Sequence, residues 1–193
     1  MDFWITLIIV TVTYIGIAVG RWPGLRANRT TITLMGAGLL IATRQVAFSA
    51  LGDFLDLDTL ILLFSMMILN ANLQMAGFFQ LAGRGLLKTA RSPRILLAVE
   101  IGLAGLLSAL FLNDTICLMF TPLVVQITQG ARRNPLPYLI ALATASNIGS
   151  AATLTGNPQN MIIGTASGIS YLDFALPLLP VAVMGLAVVW GVV

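Results

Sequence analysis

A polar stretch interrupts an apolar part of the sequence at residues 145–160, which read ASNIGSAATLTGNPQN. Eight of these sixteen residues are Ser, Thr, Asn or Gln, and the stretch also holds two glycines and a proline. Gly and Pro disfavour a continuous helix, and unwound backbone frees carbonyl oxygens. Hard cations such as Na⁺ prefer oxygen ligands, and the half-helix ends would add partial charges. The side chains that could supply further oxygens are Asn147, Ser150, Thr153, Thr155, Asn157 and Asn160.

The same composition has a structural alternative. A row of Gly and Ser residues can also line a close-packed seam between two membrane helices. Such a seam does not explain the run Gly-Asn-Pro-Gln-Asn at 156–160. We therefore expect a broken helix over 137–168, with an ion or substrate site at the break.

Asp114 is the carboxylate best placed for ion coupling. It lies in the short run LNDT at 112–115, between two apolar segments and far from the basic connectors. Charges within a membrane are costly and mark functional sites by default, so a carboxylate there would need a cation or a proton. The alternative is a solvated turn residue outside the membrane, without a function.

Two other charged residues fall inside apolar segments. Arg44 lies within reach of the predicted outer surface of the membrane, so its side chain is expected to extend to water there. Glu100 is one or two helical turns from Arg94, and we expect these two side chains to form an ion pair with a structural role.

The composition excludes several classes of protein. Of the 193 residues, 58% are hydrophobic and 9% are charged, whereas soluble domains carry about 25% charged residues; the solvent of this chain must be lipid. It has no histidine and a single cysteine, Cys117, which excludes histidine-based catalysis and an internal disulfide. An intramembrane aspartyl protease would need a second aspartate facing Asp114. We therefore expect no enzyme, no resident cofactor and no nucleic-acid partner.

Apolar segments must position these residues. A helix crosses a bilayer with about 20 apolar residues, and the candidate segments are 3–20, 31–50, 59–78, 95–112, 115–129, 137–168 and 174–193. Nine of the ten Lys and Arg residues lie in three connectors without an acid. They are Arg21, Arg26, Arg29, Arg84, Lys88, Arg91, Arg94, Arg132 and Arg133. Such connectors stay in the cytoplasm, which predicts an external N-terminus and a cytoplasmic C-terminal end.

Segments 95–112 and 115–129 could be two crossings with a tight external turn, or a re-entrant hairpin whose tip stops near the midplane. The second segment would form about 22 Å of helix, which is short for a hydrocarbon core of about 30 Å. We favour a re-entrant hairpin at 95–129. Five crossings then remain, and a second copy of such a unit would insert upside down, as in inverted-repeat transporters.

The predicted fold is an all-α integral membrane protein. It is one inverted-repeat unit of a secondary transporter, with five crossings, a re-entrant hairpin and a broken helix. The chain stops within the apolar run VAVMGLAVVWGVV, so we interpret 1–193 as an N-terminal repeat that is cut short in its last span. A second inverted half, as a C-terminal repeat or a partner chain, is expected to complete the carrier.

Two blocks of the sequence resemble a known superfamily. SNIGSAATLTGNPQNMIIG at 146–164 and FLNDTICLMFTPLV at 111–124 are similar to the ion-transporter superfamily. That superfamily includes citrate transporters, arsenite permeases, one class of sodium–proton antiporters and sodium–dicarboxylate symporters. The resemblance implies the N-terminal half of such a carrier, in a bacterial inner membrane, and a homodimer in the complete protein.

The resemblance also implies the residues of the site. In the dicarboxylate branch, Ser-Asn-Thr at the hairpin tip and Gly-Thr-Pro-Pro-Asn at the broken helix hold Na⁺ and the substrate carboxylate. By position, Na⁺ would bind at Asn113, Asp114 and Gly156. The complete ion and substrate site that we expect is Asn113, Asp114, Thr115, Asn147, Gly149, Thr155, Gly156, Asn157, Pro158 and Asn160.

Asp114 departs from the dicarboxylate pattern, and the Asn-Asp tip is more similar to the arsenite and sodium–proton branches. Two unit charges about 4 Å apart repel by about 4 kcal/mol at an effective dielectric constant of about 20. An anion would therefore require a bound cation or a protonated Asp114.

We expect a secondary transporter of a small ion, coupled to Na⁺ or H⁺. Its site would be exposed alternately to the two sides of the membrane. The transported ion would be an anion or an arsenite-like oxyacid, or the reaction would be Na⁺/H⁺ exchange. The alternative is a non-transporting membrane scaffold or assembly subunit.

Overall fold

The structure is a computed structural model that describes residues 2–20, 28–89 and 92–193. Within these ranges the secondary structure is helical, without strands. The elements are α1 Phe3–Val19, α2 Arg29–Ala42, a 3-10 helix Phe48–Phe54, α3 Leu57–Met75, α4 Phe78–Thr89, α5 Pro93–Leu110, α6 Asn113–Gly130, α7 Leu136–Ser150, α8 Pro158–Ser167 and α9 Tyr171–Val192. Of the predicted connectors, Arg21, Arg26, Arg91 and the side chains of Arg84 and Lys88 lie outside the described residues.

The outer surface of the protein is apolar. Three of the described helices, α3, α5 and α9, are long and apolar enough to cross a membrane. Large side chains point away from the core, among them Leu106 of α5 and Val188 of α9, which are 61% and 63% exposed. Extended apolar surface of this kind marks contact with lipid or with another protein. The described part of the chain is helical, consistent with an integral membrane protein.

Residues up to Asp56 form one compact unit, and Leu57–Val193 form another. In the first unit, α2 ends at Ala42, well before the end of the predicted segment 31–50, so that segment is not one continuous helix. The chain turns because Arg44 adopts a left-handed conformation with φ of 56°. A left-handed residue just beyond the last turn is a common way to end a helix.

A tertiary contact explains why the chain turns at this point. Gln45 is 7% exposed, and its Oε1 accepts hydrogen bonds from the Asp2 backbone N–H at 2.8 Å and from the Thr6 hydroxyl at 3.2 Å. The Gln45 side chain thus accepts a hydrogen bond from a backbone N–H at the beginning of α1, where the helix itself offers no acceptor. The end of α2 is therefore fixed to the beginning of α1.

Helix α4 lies in a segment that the sequence analysis assigned to a basic connector. Phe79 and Leu86 are 3% and 1% exposed and belong to the same core cluster as residues of α5, α6 and α7. Their seven-residue separation places them on one helix face. A search for long apolar segments passes over an amphipathic helix of this kind.

Helix α6 is longer than the predicted segment 115–129. It begins at Asn113 and contains 18 residues, which correspond to about 27 Å. The predicted length of the second arm is therefore wrong. The length of α6 does not by itself distinguish a re-entrant hairpin from a pair of crossings.

Small residues allow α5 and α7 to approach closely. A Cβ atom on Gly149 would lie 2.1 Å from the carbonyl oxygen of Gly105 and 2.5 Å from its Cα. The hydroxyl groups of Ser108 and Ser146 bond to each other at 2.8 Å, and both residues are 0% exposed. The pairs 105–149 and 108–146 run in opposite directions, so the helices are antiparallel. This seam holds the first arm of the predicted hairpin against the helix that leads to the break.

Replacing Gly149 with alanine should lower the denaturation temperature, because the added Cβ overlaps the backbone of α5. Overpacking of this kind typically costs about 1–3 kcal/mol. Gly102, on the same helix as Gly105, has no atom within 4 Å of a built Cβ. Gly102→Ala should leave the denaturation temperature unchanged or raise it, since Ala favours a helix. Equal midpoints for the two variants, measured by circular dichroism in detergent, would contradict the close packing of α5 on α7.

Candidate functional site

The predicted broken helix is interrupted between Ser150, the last residue of α7, and Pro158, the first residue of α8. The Ser150 hydroxyl donates to the carbonyl oxygen of Asn147 at 2.9 Å. Asn157 caps α8, because its Oδ1 accepts a hydrogen bond from the Asn160 backbone N–H at 2.8 Å. Pro158 takes the first helical position, where no N–H is needed. These polar residues therefore end one helix and begin the next.

The connection between the two helices folds back onto the end of α7. Gly156 is buried, and a Cβ atom there would lie 2.2 Å from the carbonyl oxygen of Ser150, so only glycine fits. The Nδ2 of Asn160 donates to three carbonyl oxygens of the turn, those of Thr153 at 2.8 Å, Ser150 at 3.2 Å and Ala151 at 3.5 Å. One amide thus satisfies carbonyl groups that the helix end leaves without partners.

The tip between α5 and α6 docks on this turn through Asn113. Its backbone N–H donates to the carbonyl oxygen of Gly156 at 3.0 Å. Its Nδ2 donates to the Oδ1 of Asn147, also at 3.0 Å. The structure therefore brings together three residues of the predicted site that are distant in sequence.

Two buried hydroxyl groups strengthen this docking. The Ser146 hydroxyl donates to the carbonyl oxygen of Asn113 at 3.1 Å, and the Thr153 hydroxyl donates to the carbonyl oxygen of Ala109, near the end of α5. Ser146 is 0% and Thr153 is 6% exposed. The tip and the break are thereby joined by bonds in which each side supplies donors to the other.

Asp114 is the exposed charge of this region. It lies in the first turn of α6, whose N-cap residue Leu112 supplies no side-chain hydrogen bond. A helix N-terminus carries a partial positive charge, so an acid in the first turn is favourable there. Within the described part of the chain, no hydrogen bond or ion pair engages the Asp114 carboxylate. Its oxygens are available to bind a cation or a proton.

Thr115 has a partner that the sequence analysis missed. The Nδ2 of Asn70, in α3, donates to the Thr115 Oγ1 at 3.2 Å, and Asn70 is only 3% exposed. The available signal was an amide within the apolar run LILLFSMMILNANLQM. A search restricted to charged residues in apolar segments does not detect a neutral amide.

Gly149 and Thr155, two further residues of the predicted site, make contacts outside the docking bonds. Gly149 packs against the backbone of Gly105 in the α5–α7 seam. The Thr155 hydroxyl is half-buried and lies 3.3 Å from the hydroxyl of Tyr171, the first residue of α9. The structure thus gives Gly149 a packing contact and Thr155 a contact with the following helix.

Glu100 does not pair with Arg94, contrary to the expectation from the sequence. Glu100 is 1% exposed and neither carboxyl oxygen has a hydrogen-bond partner, whereas Arg94 is exposed. The side chains around it are mainly apolar: Leu86, Leu96, Val124, Ile127 and Thr128. Glu100 lies about two helical turns from Ser108, so it is separate from the docking of the tip on the break.

Comparison with known proteins supports the resemblance seen in the sequence. A family model described as citrate transporter matches residues 5–193. The silicon efflux transporter LSI3 of Oryza sativa subsp. japonica is 37% identical over 166 residues, which are 86% of this chain and 34% of that protein. The putative transporter arsB of Dictyostelium discoideum is 34% identical over 147 residues, which are 76% of this chain and 26% of that protein.

A mycobacterial relative matches more of the chain. The 46 kDa membrane protein of Mycobacterium leprae is 32% identical over 185 residues, which are 93% of this chain and 42% of that protein. The chain therefore spans between 26% and 42% of the length of these three relatives. The region of this chain that the family model matches includes both the tip and the break.

Replacing Asn160 with alanine should destabilise the protein, because the carbonyl group of Thr153 loses its donor and that of Ser150 keeps only the Nδ2 of Asn157, at 3.4 Å. A buried polar group without a partner costs about 1–3 kcal/mol. The matched control is the exposed neighbour Gln159, whose replacement with alanine should change stability by less than about 0.5 kcal/mol. Thermal denaturation in detergent measures both. Asn160 would lose its role in holding the break if the two variants were equally stable.

Proposed function

The chain belongs to the citrate transporter family, and from that premise we propose that it forms one half of a secondary transporter for a small ion. The relatives that are named as transporters support movement of a solute across a membrane rather than an enzymatic reaction. The chain covers the N-terminal tip and break of such a carrier, and a second inverted half would complete it. The complete protein is proposed to be a homodimer in a bacterial inner membrane.

The docking of the hairpin tip on the broken helix carries this proposal. Asn113 and Asn147 bond to each other although 34 residues separate them, and the Asn113 N–H reaches the carbonyl oxygen of Gly156. The contact gathers two helix ends, unwound backbone and an exposed carboxylate in one place. Discontinuous helices with these features bind substrates and coupling ions in membrane carriers.

Within this site we assign ion coupling to Asp114. Na⁺ would bind oxygen atoms of Asn113, Asp114 and Gly156, whereas H⁺ would bind the Asp114 carboxylate directly. Either cation would neutralise the charge of Asp114 and so remove its repulsion of an anionic substrate. The site would therefore take up its coupling ion before or together with an anion, and it would need no further cofactor.

The proposed substrate is a small oxyacid or its anion. The family model is described by citrate and one relative is named for silicon, so the family model and this relative point to different substrates. Na⁺/H⁺ exchange at Asp114 is the alternative reaction of the same site.

We propose that α5 and α6 form a re-entrant hairpin that enters from the cytoplasmic side. Arg94 lies at the beginning of α5, and Arg132 and Arg133 follow the end of α6. Short connectors with Lys or Arg favour the cytoplasm, so both outer ends of this helix pair would face inward. Five crossings and an external N-terminus follow from this arrangement.

Replacing Asp114 with asparagine should abolish ion-coupled transport by the complete carrier without reducing its insertion. Asparagine keeps the shape but can neither hold a cation by charge nor exchange a proton, and a neutral side chain is less costly in the membrane. Asp114→Glu should retain part of the coupling with altered ion affinity. Uptake into vesicles with an imposed Na⁺ or pH gradient measures the effect, alongside the expression level.

The matched control for this experiment is Asp53→Asn. Asp53 is an exposed acid in the 3-10 helix, and its replacement should leave transport unchanged. Full gradient-driven transport by Asp114→Asn would reject the assignment of coupling to Asp114. Loss of transport in both variants would indicate a general effect of removing charge.

Cysteine labelling tests the proposed topology. A cysteine at Arg132 should react with membrane-impermeant maleimide only from the cytoplasm, and one at Asp56 only from outside. A cysteine at Asn113 should react slowly, because a tip within the membrane is reached through a narrow water-filled path. External labelling at Asn113 as fast as at Asp56 would instead indicate two ordinary crossings and a solvated Asp114.

A further inference from the structure

Asn70 places an oxygen without a partner beside the first turn of α6. Its Nδ2 donates to the Thr115 Oγ1 at 3.2 Å, but its Oδ1 has no hydrogen-bond partner, and the residue is 97% buried at 3% exposure. A buried acceptor without a donor is costly, and most such groups in native proteins are satisfied. Because Oδ1 and Nδ2 share one carbon atom, the free oxygen also lies close to Thr115.

The position of Asn70 on α3 is unusual for a helix that faces an apolar environment. Thr59 and Asn70 are the buried residues of α3, whereas its large apolar side chains are mostly exposed. The Thr59 hydroxyl lies 2.8 Å from the Thr165 hydroxyl of α8. Helix α3 therefore contacts the broken helix at one position and the hairpin tip at another, each time through a polar group.

The neighbouring amide of Asn72 behaves differently. Asn72 is exposed, and its Nδ2 donates to the carbonyl oxygen of Ile68 at 2.8 Å, one turn earlier in the same helix. A polar side chain on a membrane helix is often satisfied in this local way. The Nδ2 of Asn70 instead reaches a different helix, and the Oδ1 of Asn70 is buried without a hydrogen-bond partner.

We propose that the Oδ1 of Asn70 is a ligand for Na⁺ bound beside the first turn of α6. Thr115 Oγ1 accepts one hydrogen bond from Asn70 and keeps a second lone pair. In the proposed site the amide and the hydroxyl would supply neutral oxygens from two helices, and Asp114, which precedes Thr115 in sequence, would supply the negative charge. The inference rests on the proposed Na⁺ coupling and adds α3 to a site otherwise built from the tip and the break.

A cation fits this arrangement better than a substrate anion does. The free oxygen of Asn70 can only accept, so it attracts a hard cation and repels the oxygens of an anion. Bound Na⁺ would link α3 to α6 through its ligands. Ion binding would therefore stabilise the contact between these two helices.

The test is a Na⁺ titration of the denaturation temperature of the full-length protein in detergent, with K⁺ replaced by Na⁺ at constant ionic strength. A ligand that binds the folded state raises stability by RT ln(1 + [L]/Kd). Asn70→Leu should abolish the Na⁺-dependent rise or shift the titration midpoint by at least about tenfold, a change that corresponds to about 1.4 kcal/mol. The matched control Asn72→Leu should titrate like the wild type.

The same titration separates ion binding from a structural role. Without Na⁺, Asn70→Leu should be at least as stable as the wild type, because the free buried oxygen is gone. If Asn70 only holds Thr115, the variant would instead be less stable by the same amount at every Na⁺ concentration, which would overturn the proposal. Coincident titrations of wild type and Asn70→Leu, or a wild type without a Na⁺-specific rise, would also overturn it.

Two further variants keep the test decisive if leucine is not accommodated. Asn70→Ala should lose the Na⁺ response, whereas Asn70→Asp, which keeps an oxygen and adds charge, should retain it. Gradient-driven uptake distinguishes this inference from the function on which it rests. Unchanged Na⁺ dependence of uptake in Asn70→Ala, together with loss of uptake in Asp114→Asn, would remove Asn70 from the site and leave the proposed transporter in place.

Discussion

The fold depends on the rule that backbone groups inside a membrane protein must find partners within that protein. The backbone between Ser150 and Pro158 lies outside a continuous helix, so its carbonyl groups cannot use the normal helical bonds. Asn160 satisfies several of them, and Asn113 satisfies the carbonyl group of Gly156. The tip between α5 and α6 has the same need, and Thr153 meets it at the end of α5. Two irregular segments are stable because each satisfies the other.

Close approach of backbones makes this exchange of bonds geometrically feasible. Gly149 allows α7 to contact the backbone of α5, and Gly156 allows the turn to contact the end of α7. Along α5, the hydroxyl pair of Ser108 and Ser146 lies between the Gly105–Gly149 contact and the tip. Packing by small residues therefore sets the distance at which Asn113 can bond to the break.

Local chemistry made part of this site predictable. The run Gly-Asn-Pro-Gln-Asn indicates a helix break by itself, and the polar tip at Asn113 indicates where its partner lies. The sequence did not predict the end of α2, because Gln45 is fixed by a contact with the beginning of α1. The ion pair predicted between Glu100 and Arg94 is also absent, because the burial of Glu100 depends on how α4 and α6 pack around it. Asn70 was missed because its partner is 45 residues away in sequence and on another helix.

The bonds between the tip and the break join parts of the chain that a ribosome makes at different times. Thr153 is 44 residues beyond Ala109, a delay of about 2–9 s at about 5–20 residues per second. Until then the carbonyl group of Ala109 and the N–H of Asn113 lack their final partners, and hydrocarbon offers none. In the proposed re-entrant arrangement, the nascent α5–α6 pair would therefore wait in a polar environment, such as water or the insertion machinery. Synthesis of the connection between α7 and α8, which contains Thr153 and Gly156, is the step that supplies these partners.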